Sequence, residues 1–275
     1  MKSLSTRTRI IILSSVVTVF FLFIQEIDFR IITNINFPFD PWKPLILGLI
    51  IYVGTFWVLF FKVKGERLLT ILLFPAINIF ALTLFSELIV DNVLNGVEQF
   101  GAIFISIIIF WGYTYISLLI ANILNTAHLA DIPLEQAAKA AQFVLTLITA
   151  YIMFFILFSN DIFIILKIGI VVLLAFLSSY NSLWTIDLKA RQRFTASLII
   201  ALLMCFASMI ISIWPISAPY IALILTLLFY IFLGISLEIR EIISSSVWIE
   251  YNVLFLLILV LIILVAEWGI NGTVI

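Results

Sequence analysis

Two ionisable side chains lie inside long apolar runs of this sequence, and they are the first candidates for chemistry. Lys167 lies about six residues into one run, a depth of about 9 Å, and Glu87 lies about four residues from the end of another. A charge within the bilayer is costly and is a functional candidate by default. The two have opposite charge and similar expected depth, so they could form an ion pair. The alternative is that Lys167 extends its stem to the membrane surface while Glu87 lies among the headgroups.

Asn78 is a polar side chain near the middle of a run, three residues after Pro75. Proline removes a helical hydrogen bond, and the freed carbonyl beside an amide could form a ligand or ion site. The alternative is a packing kink with an interhelical hydrogen bond, worth about 0.6 kcal/mol on average. We take Asn78, Glu87 and Lys167 together as a candidate intramembrane polar site.

A second polar group lies at the end of the fourth apolar run. Asn122, Asn125 and His128 lie there, and the spacing of three between the asparagines places them on roughly one helix face. They form a candidate inner vestibule; alternatively, the helix simply emerges into water at this point. His128 is the only histidine of the chain, so it cannot anchor a zinc site alone.

The sequence lacks the common catalytic motifs. It contains no H-E-x-x-H, no G-x-S-x-G and no P-loop, and its single histidine cannot form a haem-ligating pair. We therefore expect no metal and no cofactor, and we favour a protein that is not an enzyme. An enzyme that acts on a lipid-linked substrate through loop carboxylates such as Asp28 or Asp40 remains a third possibility. The net charge of −1 gives no basic surface for nucleic acid.

The elements that must position these residues are transmembrane helices. The chain of 275 residues is 65% hydrophobic and only 11% charged, which is too little charge to cover a water-facing surface. The apolar runs are long enough to cross a bilayer and lack the alternation of a membrane barrel. We predict an all-α polytopic bundle in a single domain, residues 1–275. Its nine spans are residues 8–25, 44–61, 68–90, 100–127, 137–158, 162–180, 195–213, 216–237 and 251–268.

The distribution of Lys and Arg predicts the orientation of these spans. With the N-terminus inside, the outside segments hold only Arg30 and Lys43. The inside segments hold Lys2, Arg7, Arg9, Lys62, Lys64, Arg67, Lys139, Lys189, Arg191, Arg193 and Arg240. The nine spans then place the C-terminus outside. The first span follows a basic segment but lacks a small-x-small cleavage site, so we interpret it as an uncleaved helix.

Two loop segments resemble each other and suggest an internal duplication. Residues 131–135 and 246–250 each place a capping residue first and a Glu in the first helical turn of the next span. Residues 44–158 would then correspond to 162–268 as parallel repeats of four helices, with span 8–25 extra. The alternative is that any two helix hairpins look alike in Leu- and Ile-rich sequence.

Two classes of function stay open. The first is a transporter-like protein that handles a lipid or another small molecule, with its path between the repeats. The second is a non-catalytic scaffold or subunit of a membrane complex. The expected partners are the lipid bilayer, which we take to be the cell membrane, and other membrane proteins.

Overall fold

The described part of the chain is entirely helical. The computed structural model describes residues 5–25, 41–59, 65–93, 97–127, 134–186, 188–238 and 245–265. Within them, each predicted apolar run forms one helix and no strand occurs, which confirms the all-α prediction. The helices are α1 (Thr6–Gln25), α2 (Trp42–Val58), α3 (Glu66–Val93), α4 (Val97–Ala127), α5 (Glu135–Ser159), α6 (Ile164–Leu183), α7 (Ala190–Ile211), α8 (Ala218–Glu238) and α9 (Ser245–Val265).

Most of these helices have the length and apolarity of membrane spans. Among the described residues, seven meet both requirements: α1 and α3 to α8. Helix α2 has 17 residues and so rises only about 25 Å, less than the hydrocarbon core of about 30 Å. The apolar part of α9, Ile249–Leu264, is also shorter. Several long apolar helices in one chain fit a multi-pass membrane protein.

Contacts between helices divide the chain into two compact units, Met1–Thr149 and Ala150–Ile275. In the first unit, α2 packs against α3, α3 against α4, and α1 against both α4 and α2. Helix α1 buries one stripe at helical spacing, which includes Ile10, Val17 and Phe21. The Phe21 ring stacks on Phe110 of α4 with centroids 4.1 Å apart. The core of this unit therefore forms between α1 and the helices that follow it.

Polar contacts at the helix ends show that α1 and α2 run antiparallel. At the start of α1, Arg9 Nη1 donates to the carbonyl oxygen of Trp57 at 3.1 Å, and its guanidinium lies over the Trp57 ring. At the opposite end, Lys43 Nζ donates to the carbonyl oxygen of Gln25 at 3.2 Å. Both contacts join ends that the predicted topology places on the same side of the membrane.

In the second unit, α6 and α7 form the most closely packed pair; α8 packs on both, and α9 packs on α8. Gly234 of α8 lies against Tyr251 of α9. A Cβ atom at this position would meet the Tyr251 Oη atom and would lie 2.9 Å from its Cζ atom. The absence of a side chain at Gly234 therefore makes room for the Tyr251 ring.

Gly234→Val is expected to lower stability by about 1–3 kcal/mol, because the added methyl groups collide with the stiff Tyr251 ring. The measurement is the thermal unfolding midpoint in mild detergent. Tyr251→Ala should recover part of the loss in the double variant. The control is Gly169→Val on α6, where an added Cβ would meet nothing within 4 Å. Equal losses at the two glycines would contradict the close approach of α8 and α9.

The predicted topology is testable with reporter fusions. Fusions after Arg67, Glu98, Arg193 and Ile275 are expected to report inside, outside, inside and outside, because these sites follow two, three, six and nine predicted crossings. An inside signal at Ile275 would remove one span from the nine.

The structure changes one part of the duplication argument. Glu135 is the first residue of α5, where it pairs with Lys139 at 2.7 Å. Helix α9, however, begins at Ser245, so Glu250 lies in its second turn rather than its first. Residues 246–249, where the sequence predicts a capping residue and the start of the span, therefore already belong to the helix. The proposed correspondence of 44–158 with 162–268 stays a prediction, without this detail.

Candidate functional site

Helix α3 carries a series of polar side chains through the interior of the first unit. It is the most enclosed candidate span, with 72% of Thr70–Glu87 buried. Its buried polar residues are Thr70, Asn78, Thr83, Ser86 and Glu87. Polar groups on a membrane helix normally face protein rather than lipid, where they can find hydrogen-bond partners. The partners of α3 therefore define the candidate site.

Asn78 is the centre of a buried hydrogen-bond network that joins three helices. Its Nδ2 donates to Ser117 Oγ on α4 at 3.1 Å, and its Oδ1 accepts from Thr149 Oγ1 on α5 at 2.7 Å. The Thr149 hydroxyl also lies 2.9 Å from Tyr113 Oη. We call these four residues, Asn78, Tyr113, Ser117 and Thr149, the amide network.

Helix α5 presents a polar stripe within this unit. Gln142, Thr146 and Thr149 are spaced by four and three residues, so they share one face, and all three are buried. Thr146 Oγ1 donates to the carbonyl oxygen of Gln142 within the helix, whereas Thr149 reaches across to α3. Neutral donors and acceptors therefore surround the middle of α3.

A charged cluster lies toward the end of α3. Glu87 Oε1 is 3.6 Å from Lys43 Nζ of α2, and the two side chains are only 8% and 12% exposed. Next to Glu87, Ser86 Oγ accepts from Gln25 Nε2 at 3.1 Å. We call Gln25, Lys43, Ser86 and Glu87 the charged cluster. The Lys43 ammonium offsets the buried charge of Glu87, and the hydrogen bond between Gln25 and Ser86 lies beside this ion pair.

A comparison with known protein families identifies the family of this chain. Residues 62–265 match the family described as Protein of unknown function (DUF5656). The chain belongs to this family. Comparisons with curated proteins and with solved structures give no match.

The region that matches DUF5656 contains all of the amide network but only part of the charged cluster. It runs from the segment before α3 to the end of α9, so it contains the whole amide network. In the charged cluster it contains Ser86 and Glu87, whereas Gln25 and Lys43 come from helices that precede the matched region. The amide network can therefore be built from the family region alone.

The predicted intramembrane site is divided between the two units, so its assembly stays a prediction. Asn78 belongs to the amide network and Glu87 to the charged cluster, both in the first unit. Lys167 lies in the first turn of α6, in the second unit, with its Nζ 5.6 Å from the centre of the Phe158 ring. A Glu87–Lys167 pair would join the two units and stays a prediction; within its own unit, Glu87 has Lys43.

The predicted inner vestibule is described only in part. Asn125 is buried on α4 and Asn122 is half-buried. Thr126 beside them turns its hydroxyl back to the carbonyl oxygens of Asn122 and Ile123. His128 lies outside the described residues. The vestibule thus stays a prediction, based on two asparagines near the end of one helix.

Sequence reasoning missed Tyr113, Ser117, Thr149 and Lys43. Hydroxyl side chains are frequent in apolar runs and usually bond to their own helix, so Ser117 and Thr149 carry no individual signal. The spacing of Gln142, Thr146 and Thr149 did carry one, because three polar residues on one face of a span indicate an inward face. Lys43 looked like a loop residue, but α2 begins at Trp42.

Proposed function

We propose that this DUF5656 protein handles a lipid or another small amphipathic molecule, in the manner of a transporter, through the polar interior of its first unit. The observation that carries the proposal is the amide network on α3, the most enclosed candidate span. A span that serves only as a membrane anchor needs no such groups in its interior. The membrane concerned is, on this proposal, the cell membrane.

The chemistry of the first unit suits an uncharged polar group attached to an apolar body. The network uses one N–H and one carbonyl lone pair of the Asn78 amide, which has two of each, so the amide retains capacity for a ligand. Tyr113 and Thr149 supply hydroxyls that can donate or accept. The described charges of the interior lie in the charged cluster rather than beside Asn78. This arrangement favours hydroxyl, amide or ester recognition over ion coupling, which places acidic residues at mid-depth.

Copurification in mild detergent followed by mass spectrometry tests the proposal. A specific lipid or amphipathic molecule is expected to accompany the wild-type protein and to fall by about fivefold in Asn78→Leu, the scale of losing one hydrogen bond of about 1 kcal/mol. Thr83→Val is the matched control, because Thr83 is buried on the same helix and its hydroxyl donates to the carbonyl oxygen of Ile79 within that helix. Ser117→Ala is a milder second variant if Asn78→Leu folds poorly.

The outcomes of the copurification experiment distinguish the two classes of function. Retention of the molecule by Asn78→Leu and Ser117→Ala, or its absence from the wild type, would rule out handling through the amide network. Recovery of a stoichiometric membrane protein instead would favour the scaffold.

A scaffold or complex subunit is the second candidate, and α9 is the observation that favours it. This helix exposes apolar side chains on most of its circumference, among them Val253, Phe255, Leu256, Val260 and Leu264. Lipid can cover such a surface, and so can a partner helix. Leu256→Ala with Val260→Ala would release a protein partner from this face but would leave a molecule bound at Asn78 in place.

A further inference from the structure

We propose that the amide network receives the ester group of a lipid, which enters from the bilayer between α4 and α5 past the side chain of Tyr113. This inference rests on the function proposed above and narrows its ligand to a lipid that bears an ester. It follows from the hydrogens that the network leaves unused and from the way in which Tyr113 joins α4 to α5.

The two distances at Asn78 fix the orientation of its amide. The contact with Ser117 Oγ is 3.1 Å long, which is typical of an N–H donor, and the contact with Thr149 Oγ1 is 2.7 Å long, which is typical of a hydroxyl donor. Asn78 therefore turns Nδ2 toward α4 and Oδ1 toward α5. Because the Thr149 hydrogen is donated to Oδ1, Tyr113 is the donor in its 2.9 Å contact with Thr149.

Two hydrogens of the network have no acceptor among the described residues. They are the second N–H of Asn78 and the O–H of Ser117, which accepts from Asn78 but donates to no described atom. Thr114, on the same helix, donates instead to the carbonyl oxygen of Phe110. Asn78 and Ser117 are both buried. Because a buried hydrogen without an acceptor is unfavourable, the network favours a ligand that supplies acceptor oxygens.

An ester is the polar group of a lipid that best matches these hydrogens. It supplies two oxygens that can accept and brings no hydrogen of its own, whereas an alcohol or an amide adds a donor that must be buried as well. The described partners of Asn78 and Ser117 are neutral, so a phosphate or an ammonium group would find no opposite charge among them.

The path to the network lies between α4 and α5. Among the described residues of the first unit, the closely packed helix pairs join α1, α2, α3 and α4, and α5 is in none of these pairs. Side chains bridge the wider separation. Tyr113 Oη on α4 contacts Thr149 Oγ1 and, at 3.4 Å, the carbonyl oxygen of Leu145, both on α5. Tyr113 therefore closes a space between two helices whose backbones stay apart.

Tyr113 lies between the lipid-facing surface and the buried network. Ile109, Tyr113 and Ile116 are spaced by four and three residues, so they share one face of α4, and the two isoleucines are exposed. Tyr113 itself is half-buried, whereas the other three members of the network are buried. An added Cβ atom at the neighbouring Gly112 would meet nothing within 4 Å, so other helices leave this part of α4 uncovered. Displacement of the Tyr113 side chain thus opens the network toward lipid.

Photolabelling of the full chain in bilayers of ether-linked phosphatidylcholine tests the ester. The probes are a diacylglycerol and the matching dialkylglycerol, each with a diazirine near the glycerol end of one chain, so that they differ only in their carbonyl oxygens. The diacyl probe is expected to label the buried residues Leu145, Thr146 and Thr149 about fivefold more than the dialkyl probe, the scale of one hydrogen bond. Ser117→Ala should remove this preference. Thr114→Val is the matched control, because its hydroxyl is buried on the same helix and donates within that helix.

Tyr113→Phe tests the path, because it removes the hydroxyl that contacts α5 and keeps the ring. Labelling of the same three residues by both probes is expected to rise about fivefold, since the space between the helices then opens more readily. Tyr115→Phe is the matched control: Tyr115 is half-buried on the same helix but stacks on Trp111. Thr149→Val, which removes the acceptor on α5, is the second variant if Tyr113→Phe folds poorly.

Each outcome decides the proposal. A preference for the diacyl probe that is lost in Ser117→Ala and kept in Thr114→Val supports the ester site. Equal labelling by the two probes, or an equal loss in the two variants, overturns it. No rise in Tyr113→Phe, or the same rise in Tyr115→Phe, overturns entry past Tyr113. If a copurified molecule depends on Asn78 while the diacyl probe gains no preference, the function proposed above stands and only this inference fails.

Discussion

Lys43→Met is expected to destabilise the protein by about 3 kcal/mol, more than the double variant Lys43→Met with Glu87→Gln. Lys43 and Glu87 are 3.6 Å apart and almost fully enclosed. Removal of the ammonium leaves a carboxylate in a poorly hydrated place, whereas removal of both charges leaves two neutral side chains of similar size. The measurement is the unfolding midpoint in detergent, compared across the two single variants and the double variant.

The partly exposed pair of Glu135 and Lys139 provides the control. Its side chains are 30% and 37% exposed, so Lys139→Met should cost less than about 0.5 kcal/mol despite the shorter distance. Simple addition of the Lys43 and Glu87 losses would show that the two do not interact. A cycle of Lys167→Met with Glu87→Gln tests the other predicted pair in the same assay: coupling found there, and not with Lys43, would favour a Glu87–Lys167 ion pair.

Asn78→Leu is expected to cost about 2 kcal/mol, because leucine has the same number and branching of side-chain heavy atoms but removes a donor and an acceptor from the amide network. Ser117 then loses its bond from Nδ2, and Thr149 loses its acceptor on α3 while keeping Tyr113. This estimate lies at the upper end of interhelical hydrogen bonds in membranes, which average about 0.6 kcal/mol, because two bonds are lost together.

Comparison with Thr149→Val isolates the network contribution. The double variant Asn78→Leu with Thr149→Val should lose less than the sum of the single losses, since the bond they share can be lost only once. Thr83→Val removes a hydroxyl that bonds within its own helix and should cost less than about 0.5 kcal/mol. A loss at Thr83 equal to that at Asn78 would assign the effect to packing rather than to the network.

Hydropathy located the helices because burial in lipid acts on each span separately. A run of apolar residues is helical in a bilayer whatever its neighbours, so α4 and α7 could be placed without knowledge of their contacts. Hydropathy predicted the ends of the helices less accurately than their positions. Glu250 was expected in the first turn of its span, but α9 begins at Ser245 and places it one turn later.

The contacts between side chains of different helices could not be predicted from hydropathy in the same way. Depth along a span can be estimated from sequence, and it placed Glu87 and Lys167 at comparable levels. Adjacency depends on how helices are arranged and rotated around their axes, which apolar sequence specifies only weakly because lipid is as apolar as leucine. Lys43 was therefore overlooked as a partner for Glu87, and Asn78 was identified without Ser117 or Thr149. Trp111, at mid-span, finds an acceptor in Ser15 of α1, a contact with no sequence signal at all.

The contacts of α1 have a consequence for the order of synthesis. Trp111 donates to Ser15 across 96 residues of chain, and Phe110 stacks on Phe21 beside it. At about 5–20 residues per second, α1 leaves the ribosome roughly 5–20 seconds before α4 can reach it. During that interval the face of α1 that α4 later buries can contact only lipid or the insertion machinery. Ser14 and Thr18 are suited to the delay, because their hydroxyls already bond to carbonyl oxygens of their own helix and need no later partner.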